Sequence, residues 1–508
     1  MTTAESVPER THTVAGGIET DRSVTRKDLR LNRDPARVIA KLFVPGSYGP
    51  DMTARAEGVV RRVLALSDAD AEAAYARTLD GFDGRHRGLE AIFAEHFRVI
   101  EHRVDHGIEL SGLRKLLVGA HFTQEYAIEG AAFTNPSMVP YPDQDGLDPG
   151  QLRFLMSARS IGEGHVSCVE FRTGVLGPDG DLTVDEPSPY AHLGRVQNTL
   201  YERSMLRAAL DGAADDDDEV VAFLLHHLPE RFSDADLEAC LAELPPQLLV
   251  LERTHRTFSH IHWFVACHYT LCFEDDEDVS ERVLWPLSPT ERKGIEDVRF
   301  VHCTDDDGRR VYRGTYTAYN GTQTVTQLME TSDFRTFHTA QLFGETIGDK
   351  GMALFPRQVG GRYLALSGQG RDGSTIVSST DAHVWSDPQP LPIPEQPWAL
   401  TNVGNCGSPI ETDAGWLMLT YGIGPMRVHA LGAVLLDLEE PTRVLGALPN
   451  PLVVAAQEEQ DAYAPNIVYS CGALKHGDTM VIPYGFGDMG IEFATVPVSG
   501  LLDRMLSK

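Results

Sequence analysis

The stretch Thr331-Ser332-Asp333-Phe334-Arg335-Thr336-Phe337 has an echo at Ser379-Thr380-Asp381-Ala382-His383-Val384-Trp385. Each copy holds two hydroxyl residues, an aspartate and, after three further residues, an aromatic ring. Each also follows one apolar, strand-like run and precedes another. A short acidic side chain accepts hydrogen bonds from backbone N–H groups just ahead of it, and so closes a tight turn. The aromatic residue past the turn then starts the next strand. Units of this kind recur where sheets are arrayed side by side about an axis. The repeat predicts a mainly β chain of radial, β-propeller type.

Outward from the repeat, short strand-like runs separated by Gly, Asp and Asn turns fill the chain from near Phe133 to its end. They are Leu152–Ala158, His165–Arg172, Trp263–Phe273, Val298–Cys303, Arg310–Tyr319, Tyr363–Ser367, Ile376–Ser379, Trp416–Tyr421, Ala430–Leu436 and Met480–Tyr484. Even spacing of short strands fits a closed all-β architecture better than a parallel sheet. Residues 1–25 read as a polar tail and 26–130 as a helical region. Val59, Val60, Val63 and Leu64 recur at helical spacing, and Ser67-Asp68-Ala69-Asp70 then reads as a new N-cap. A second helix is expected over Gly88–Val104, where Leu89, Ile92, Phe93, Phe97 and Ile100 form one stripe. Residues 131–508 make up the β domain, interrupted by a helical insertion at about 190–245. The acidic run Asp215-Asp216-Asp217-Asp218-Glu219 in that insertion reads as a solvated loop entering a helix.

Composition narrows the function. Of 508 residues, 44 are Lys or Arg and 74 are Asp or Glu, for a net charge of -30. That excess repels phosphate backbones and anionic lipid, so neither nucleic acid nor a membrane surface is an expected partner. The seven cysteines are scattered, with no CxxC pair, which points to reduced thiols and to no metal site. Met1–Arg22 lacks the apolar core of a secretory signal, so the expected location is the cytoplasm. A homo-oligomer is left open.

The chemistry centres on Gly294-Ile295-Glu296-Asp297-Val298-Arg299-Phe300-Val301, two carboxylates and an arginine inside an apolar strand. In a regular strand Asp297 and Arg299 share one face and Glu296 takes the other. By itself this also fits a plain ion pair at a strand start. Further polar clusters sit at other strand ends: Asn135-Pro136-Ser137, Arg159, Lys350 before Met352–Pro356, Ser408–Thr412 with Glu411, Tyr421–Arg427, Tyr463–Asn466 and Tyr484–Asp488. Carboxylates, amides and aromatic rims suit a sugar. Cleavage with inversion needs one carboxylic acid for the leaving oxygen and a nucleophile on the opposite face. Water as nucleophile requires a second carboxylate as base. Phosphate requires fixed cations instead.

Taken in order, Asn135-Pro136-Ser137, Arg159, Gly294–Phe300, Lys350–Pro356, Ser408–Gly415, Leu431–Asp437, Pro465-Asn466 and Tyr484–Asp488 resemble glycoside hydrolase family 130, the β-mannoside phosphorylases and β-1,2-mannosidases. The resemblance covers roughly residues 130–508. It implies a five-bladed β-propeller and inverting, metal-free chemistry without a cofactor, with inorganic phosphate as co-substrate in a phosphorylase. Its general acid, in a Gly-x-Glu-Asp-Pro/Ala-Arg motif, falls on Asp297, and in some members the proton passes through a sugar hydroxyl. Asp488 falls where the glycone sugar binds. Asn135, Arg159 and Lys350 line the substrate and phosphate pocket, and Ser137, Glu296, Arg299, Tyr421 and Asn466 are grouped on the substrate side.

Three departures stand out. Val298 replaces the motif's Pro or Ala. Gly368 stands where the phosphorylases carry an arginine, and Tyr421 where they carry a histidine. Losing one cation from an anion pocket weakens holding several-fold to about a hundredfold. Arg427, Arg357 or Arg371 could restore the charge from a neighbouring loop. Alternatively water replaces phosphate, with Glu411 or Glu459 as base, although Glu411 also fits a turn contact and Glu459 a solvated face. The expectation is a β-mannosidase acting by hydrolysis, slightly ahead of phosphorolysis to mannose 1-phosphate. A non-catalytic carbohydrate-binding propeller is the further rival.

Overall fold

The computed structural model describes residues 17–45, 52–105, 107–211, 219–250, 252–304, 308, 310–344, 347, 350–368, 374–456 and 462–507. The chain is mainly β, built on five antiparallel meanders. Sheet I runs Ala132–Pro140, Leu152–Ile161, Ser167–Leu176 and Leu182–Val184. Sheet II runs Gly294–Thr304, Arg310–Tyr319, Thr324–Thr331 and Thr336–Gln341, and is joined to sheet I through one parallel pair, Gly294 with Ser167. Sheet III is Ala353–Leu354, Tyr363–Ser367, Thr375–Ser379 and Ser386–Pro390. Sheet IV centres on Asn402–Asn405, Gly415–Ile423, His429–Leu436 and Val444–Ala447. Sheet V orders Val468–Tyr469, Thr479–Phe486, Gly490–Pro497 and then Thr25–Asn32 from the other end of the chain.

Alternating strand residues give each sheet two apolar faces, and a separate core fills the gap between each sheet and the next. Phe171 of sheet I packs with Phe300 and Phe337 of sheet II. Val301 and Val311 meet Leu354, Val377 and Trp385 of sheet III. Phe355 and Leu366 meet Trp416 and Val434 of sheet IV. Leu419 and Leu431 meet Ile482 and Val496 of sheet V. Val481 and Phe493 return to Phe154 and Met156 of sheet I. The last contact joins the fifth sheet to the first.

The repeat at Thr331–Phe337 and Ser379–Trp385 is the turn before the fourth strand of sheets II and III. Thr331 Oγ1 accepts from Phe334 N at 2.9 Å, while Asp333 Oδ1 accepts from Arg335 N and Thr336 N at 2.8 and 2.9 Å. Ser379 Oγ accepts from Ala382 N at 3.0 Å, and Asp381 Oδ1 from His383 N and Val384 N at 2.8 and 2.9 Å. The hydroxyl and the carboxylate cap the same backbone amides in both copies. This leaves Phe334 and Ala382 in the left-handed region at φ 54° and 66°.

Helices flank the sheets. Met52–Leu64, Asp68–Phe82, Leu89–Ile100 and Gly112–His121 bury Val60, Phe93, Phe97 and Leu117 in a core of their own. Ser67 caps the second helix, its side chain accepting from Asp70 N at 3.1 Å. The region read as helical over 26–130 also holds the strands Val38–Leu42 and Thr123–Ala127, which pair with each other. Their short β-rich runs lie next to helix signals that mask them. Arg37 fixes this region to sheet I through Glu170, 2.8 Å away, and also pairs with Glu129, 3.2 Å away, in the turn ahead of that sheet. The inserted helices extend past 245, because Glu252–Cys267 is one helix. The run read as strand over Trp263–Phe273 is therefore helix to Cys267 and strand only at Tyr269–Cys272. Asp215 to Asp218 lie outside the described residues, and Glu219 opens the helix Glu219–His227. No described helix is long and apolar enough to cross a membrane.

Candidate active site

The first strands of sheets I and II carry matching irregularities. Pairing shifts register between Thr134 and Ser137 in one, and between Glu296 and Arg299 in the other. Within these bulges Asn135 and Asp297 take φ of 52° and 57°. Non-glycine residues adopt such values at a cost, which surrounding structure must hold in place. A bulge re-aims side chains, and here it cancels the expected alternation of Glu296 and Asp297. Arg159 Nη2 donates to Glu296 Oε1 at 2.6 Å while its Nη1 donates to Asp297 Oδ1 at 3.2 Å. Both carboxylates thus meet one guanidinium.

Around that centre the contacts are dense. Asn135 Nδ2 donates to Asp297 Oδ1 at 2.6 Å, and Lys350 Nζ to Glu296 Oε2 at 2.6 Å. Arg299, fully buried, donates to the Asp297 carbonyl at 2.9 Å and to Tyr469 OH at 2.7 Å. Burial by itself would raise the Asp297 carboxyl. Arg159, Arg299, the Asn135 amide and Lys350 outweigh it and hold the group below the usual carboxylate range. Asp488 goes the other way, pushed up by burial and by the charge of Asp297 against the pull of Arg159 and Arg427. Asp488 and Asn466 also sit at positive φ, 57° and 64°.

The aromatic side of the site comes from sheets IV and V. Tyr421 meets Tyr469 with ring centroids 5.2 Å apart, and stacks on His429 at 6.4 Å and 18°. His429 is 7% exposed, and neither ring nitrogen has a hydrogen-bond partner. Its imidazole falls to about 4, through burial and then the charge of Arg427. Arg299 bonds Tyr469, whose ring meets Tyr421 and, beyond it, His429, while the charge of the exposed Arg427 reaches both His429 and Asp488, so a circuit of ring contacts and charge runs from Asp297 to Asp488. Asn135, Arg159, Glu296, Asp297, Arg299, Lys350, Tyr421, Arg427 and Asp488 all belong to this circuit or touch it. Asn466 joins through its carbonyl, which accepts from His429 N at 2.9 Å.

Other sequence candidates lie elsewhere. Arg357 and Glu411 pair with each other, Nε to Oε1 at 3.0 Å, with both side chains 42% exposed and the guanidinium over Trp416. Neither makes a contact with the Asp297 cluster among the described residues. Ser137 is fully buried, and its Oγ accepts from Phe300 N at 3.2 Å, so it ties sheet I to sheet II. Glu459 and Arg371 lie outside the described residues. Gly368 ends the strand Tyr363–Ser367 at φ 85°. Tyr469, which ends the strand Val468–Tyr469, and His429, which starts His429–Leu436, were missed in the sequence because each sits in an apolar run and reads as core. The available signal was their place one strand from Asn466 and Tyr421.

No group of three or more His, Cys, Asp or Glu able to hold a metal occurs among the described residues. What the cluster offers is a half-buried carboxylate held by donors, a wall of fixed cations and an aromatic rim. Residues 247–507 match the family model described as β-1,4-mannooligosaccharide phosphorylase. The chain belongs to glycoside hydrolase family 130. Among curated relatives, it is 35% identical over 156 residues to a 1,2-β-oligomannan phosphorylase of Thermoanaerobacter sp. (strain X514), covering 30% of this chain and 52% of that one. It is 28% identical over 230 residues to a β-1,2-mannobiose phosphorylase of Listeria innocua serovar 6a, covering 44% and 63%. The chain thus spans about half to three-fifths of the length of the curated relatives it matches. The solved β-1,2-mannobiose complex of the Listeria innocua phosphorylase aligns with 75% of this chain and 93% of its own, at 20% identity and a TM-score of 0.44.

Proposed function

We propose that the chain is a five-bladed β-propeller enzyme that cleaves β-mannosides with inversion, using inorganic phosphate as nucleophile. Five units, each built around four antiparallel strands, with cores that run from each sheet to the next and from the fifth back to the first, support the propeller reading. One observation carries the choice of nucleophile. In a protein of net charge -30, the cluster gathers four cations, Arg159, Arg299, Lys350 and Arg427, against Glu296, Asp297 and Asp488. Glu296 is bound by two of those cations, and Glu411 by Arg357, so neither is free to activate water. Phosphate needs no base and only has to be held. The curated relatives named above are phosphorylases of β-1,2-linked mannosides, and they support phosphorolysis over the hydrolysis favoured from sequence.

In this mechanism the Arg159 and Lys350 side of the cluster holds phosphate opposite the scissile bond. Asp297 delivers a proton to the leaving oxygen, directly or through a sugar hydroxyl, as phosphate attacks the anomeric carbon. The cations that hold phosphate are those that keep Asp297 ionised. A bound phosphate partly neutralises them and raises the proton affinity of Asp297, so the two events favour each other. Incubation with β-1,2-mannobiose with and without phosphate tests the proposal. Mannose 1-phosphate formed only with phosphate is expected, and free mannose at a phosphate-independent rate would favour hydrolysis. Cytoplasmic location belongs to the same proposal.

A further inference from the structure

The helical insertion meets sheet II along its outer edge, and the two enclose a cavity of about 520 Å³. One side comes from residues 197–202 and Arg231, the other from the paired strands Tyr269–Cys272 and Thr336–Gln341. Asp297 lies on the first strand of the same sheet. Tyr269–Cys272 is four strand spacings away from it, or roughly 19 Å at about 4.8 Å per strand. No lining residue belongs to the Asp297 cluster. The volume falls within the roughly 300–1,000 Å³ common to small-molecule sites.

His268 lines this cavity and is 5% exposed. Burial takes its imidazole down to about 4, so the ring is neutral at physiological pH. Nδ1 lies 2.6 Å from the Phe264 carbonyl in the last turn of the helix Glu252–Cys267. A carbonyl can only accept, so Nδ1 carries the ring hydrogen and Nε2 is an acceptor. That acceptor has no partner. Phe264, with ring centroids 4.1 Å apart, and Phe343, stacked at 13°, hold the imidazole in place. Buried polar atoms without partners are rare, and each calls for a group that binds there.

The occupant must bring a hydrogen to Nε2, from a hydroxyl, an amide or an ammonium. The charges select among them. Arg231 and Glu202 line the cavity with opposite signs, and Glu330 is already taken by Arg313 at 2.7 Å. The walls therefore favour neither a cation nor an anion, and ionised phosphate has few or no hydrogens to give His268. Gln197 and Asn198, both exposed, make no side-chain hydrogen bond among the described residues, so two amides stand ready to donate and accept. Met205 and Leu328, both buried, add apolar surface. Hydroxyls arrayed around an apolar ring match this combination.

We propose that this cavity is a second, non-catalytic saccharide site, in which His268 Nε2 accepts from a ring hydroxyl and the Gln197 and Asn198 amides engage its neighbours. The occupant is a neutral sugar of one or two rings. The site stands apart from the reaction at Asp297, and it gives the helical insertion a binding role.

The test reads location as well as affinity. Hydrogen exchange of the full chain is followed by mass spectrometry in the Asp297→Asn background, with mannose, glucose, β-1,2-mannobiose or inorganic phosphate added in increasing amounts. At least one sugar is expected to slow exchange in 197–202 and 268–272, whatever happens at 294–300 around Asp297. Phosphate should leave the first two segments unchanged. His268→Phe keeps a ring between Phe264 and Phe343 and removes the acceptor. It should weaken the sugar at this site about two- to tenfold, as loss of one neutral hydrogen bond implies. Replacing Gln197 and Asn198 together with alanine changes only exposed side chains and should weaken it by at least as much. Slowing confined to 294–300 with every sugar overturns the proposal while leaving the Asp297 site intact, and absence of slowing only at 294–300 counts against that site alone. Equal slowing by phosphate, or unchanged sugar affinity in His268→Phe, also overturns it. If His268→Phe does not fold, unchanged affinity in the double alanine variant is the refuting result.

Discussion

Replacing Arg159 with glutamine should move the pH profile of the enzyme in a direction opposite to simple damage. Arg159 Nη1 lies 3.2 Å from Asp297 Oδ1 and its Nη2 lies 2.6 Å from Glu296. An arginine at this range lowers a carboxyl by roughly one to three pH units. In the proposed mechanism Asp297 is the proton donor, so kcat/KM falls as pH rises through its pKa. Without Arg159 that pKa rises, and the alkaline limb of kcat/KM should shift upward by roughly one to three units. At the same time, loss of charge-assisted bonds worth about 1.5–3 kcal/mol should lower kcat/KM below the limb by roughly ten- to over a hundredfold. Arg159→Lys keeps the charge but cannot bridge both carboxylates, so its limb should stay near that of the wild type while kcat/KM still falls. The assay is initial-rate phosphorolysis of β-1,2-mannobiose from about pH 2.5 to 9, which spans the depressed range of the wild-type limb, with thermal melts at each pH. An unmoved limb in Arg159→Gln, in a folded protein, would refute the electrostatic argument.

Other perturbations follow from the same geometry. Asp297→Asn keeps the Asn135 and Arg159 neighbours but removes the proton, so turnover should fall by at least about a thousandfold with little change in melting temperature. Asp333→Ala and Asp381→Ala each uncap two backbone amides and should each cost about 1–3 kcal/mol in urea unfolding, nearly additively because they serve different sheets. For both aspartates burial raises the carboxyl, but the capped amides outweigh it and leave it below its usual value. Their stabilisation is therefore present above the unfolded pKa near 4 and is lost as pH falls through the depressed folded value, so the mutants should lose less stability than wild type on acidification. Gly294→Ala places a Cβ 2.0 Å from Ser167 Oγ at φ 150°, and should destabilise the junction of sheets I and II by about 1–3 kcal/mol or more.

How much of this was legible in the sequence depends on the periodicity each part obeys. The capped turn at Asp333 and Asp381 is local chemistry, so its residues announced the repeat and with it the β class. The cluster of Asn135, Arg159, Asp297 and Lys350 became readable only as an ordered set, because the residues are brought together by strands far apart in the chain. The bulge at Asp297 was invisible: strand alternation placed Glu296 and Asp297 on opposite faces, and only the φ of 57° puts both on Arg159. Helix propensity around 35–130 hid two short strands, whose pairing depends on each other and not on local sequence. Strand Thr25–Asn32 completes sheet V from the far end of the chain, a contact with no local signature. Glu411 and Arg357 each looked like active-site charge, and tertiary structure pairs them at the surface.

In the proposed reaction, phosphate held by Arg159 and Lys350 attacks the anomeric carbon from the face opposite the leaving group. The most direct test is time-resolved proton and phosphorus NMR of β-1,2-mannobiose turnover in phosphate buffer, recording the anomer of the first product. Inversion at a β-mannoside predicts α-mannose 1-phosphate, formed in step with phosphate consumption. Free mannose as the first product, or the β-anomer of the sugar phosphate, would contradict the account.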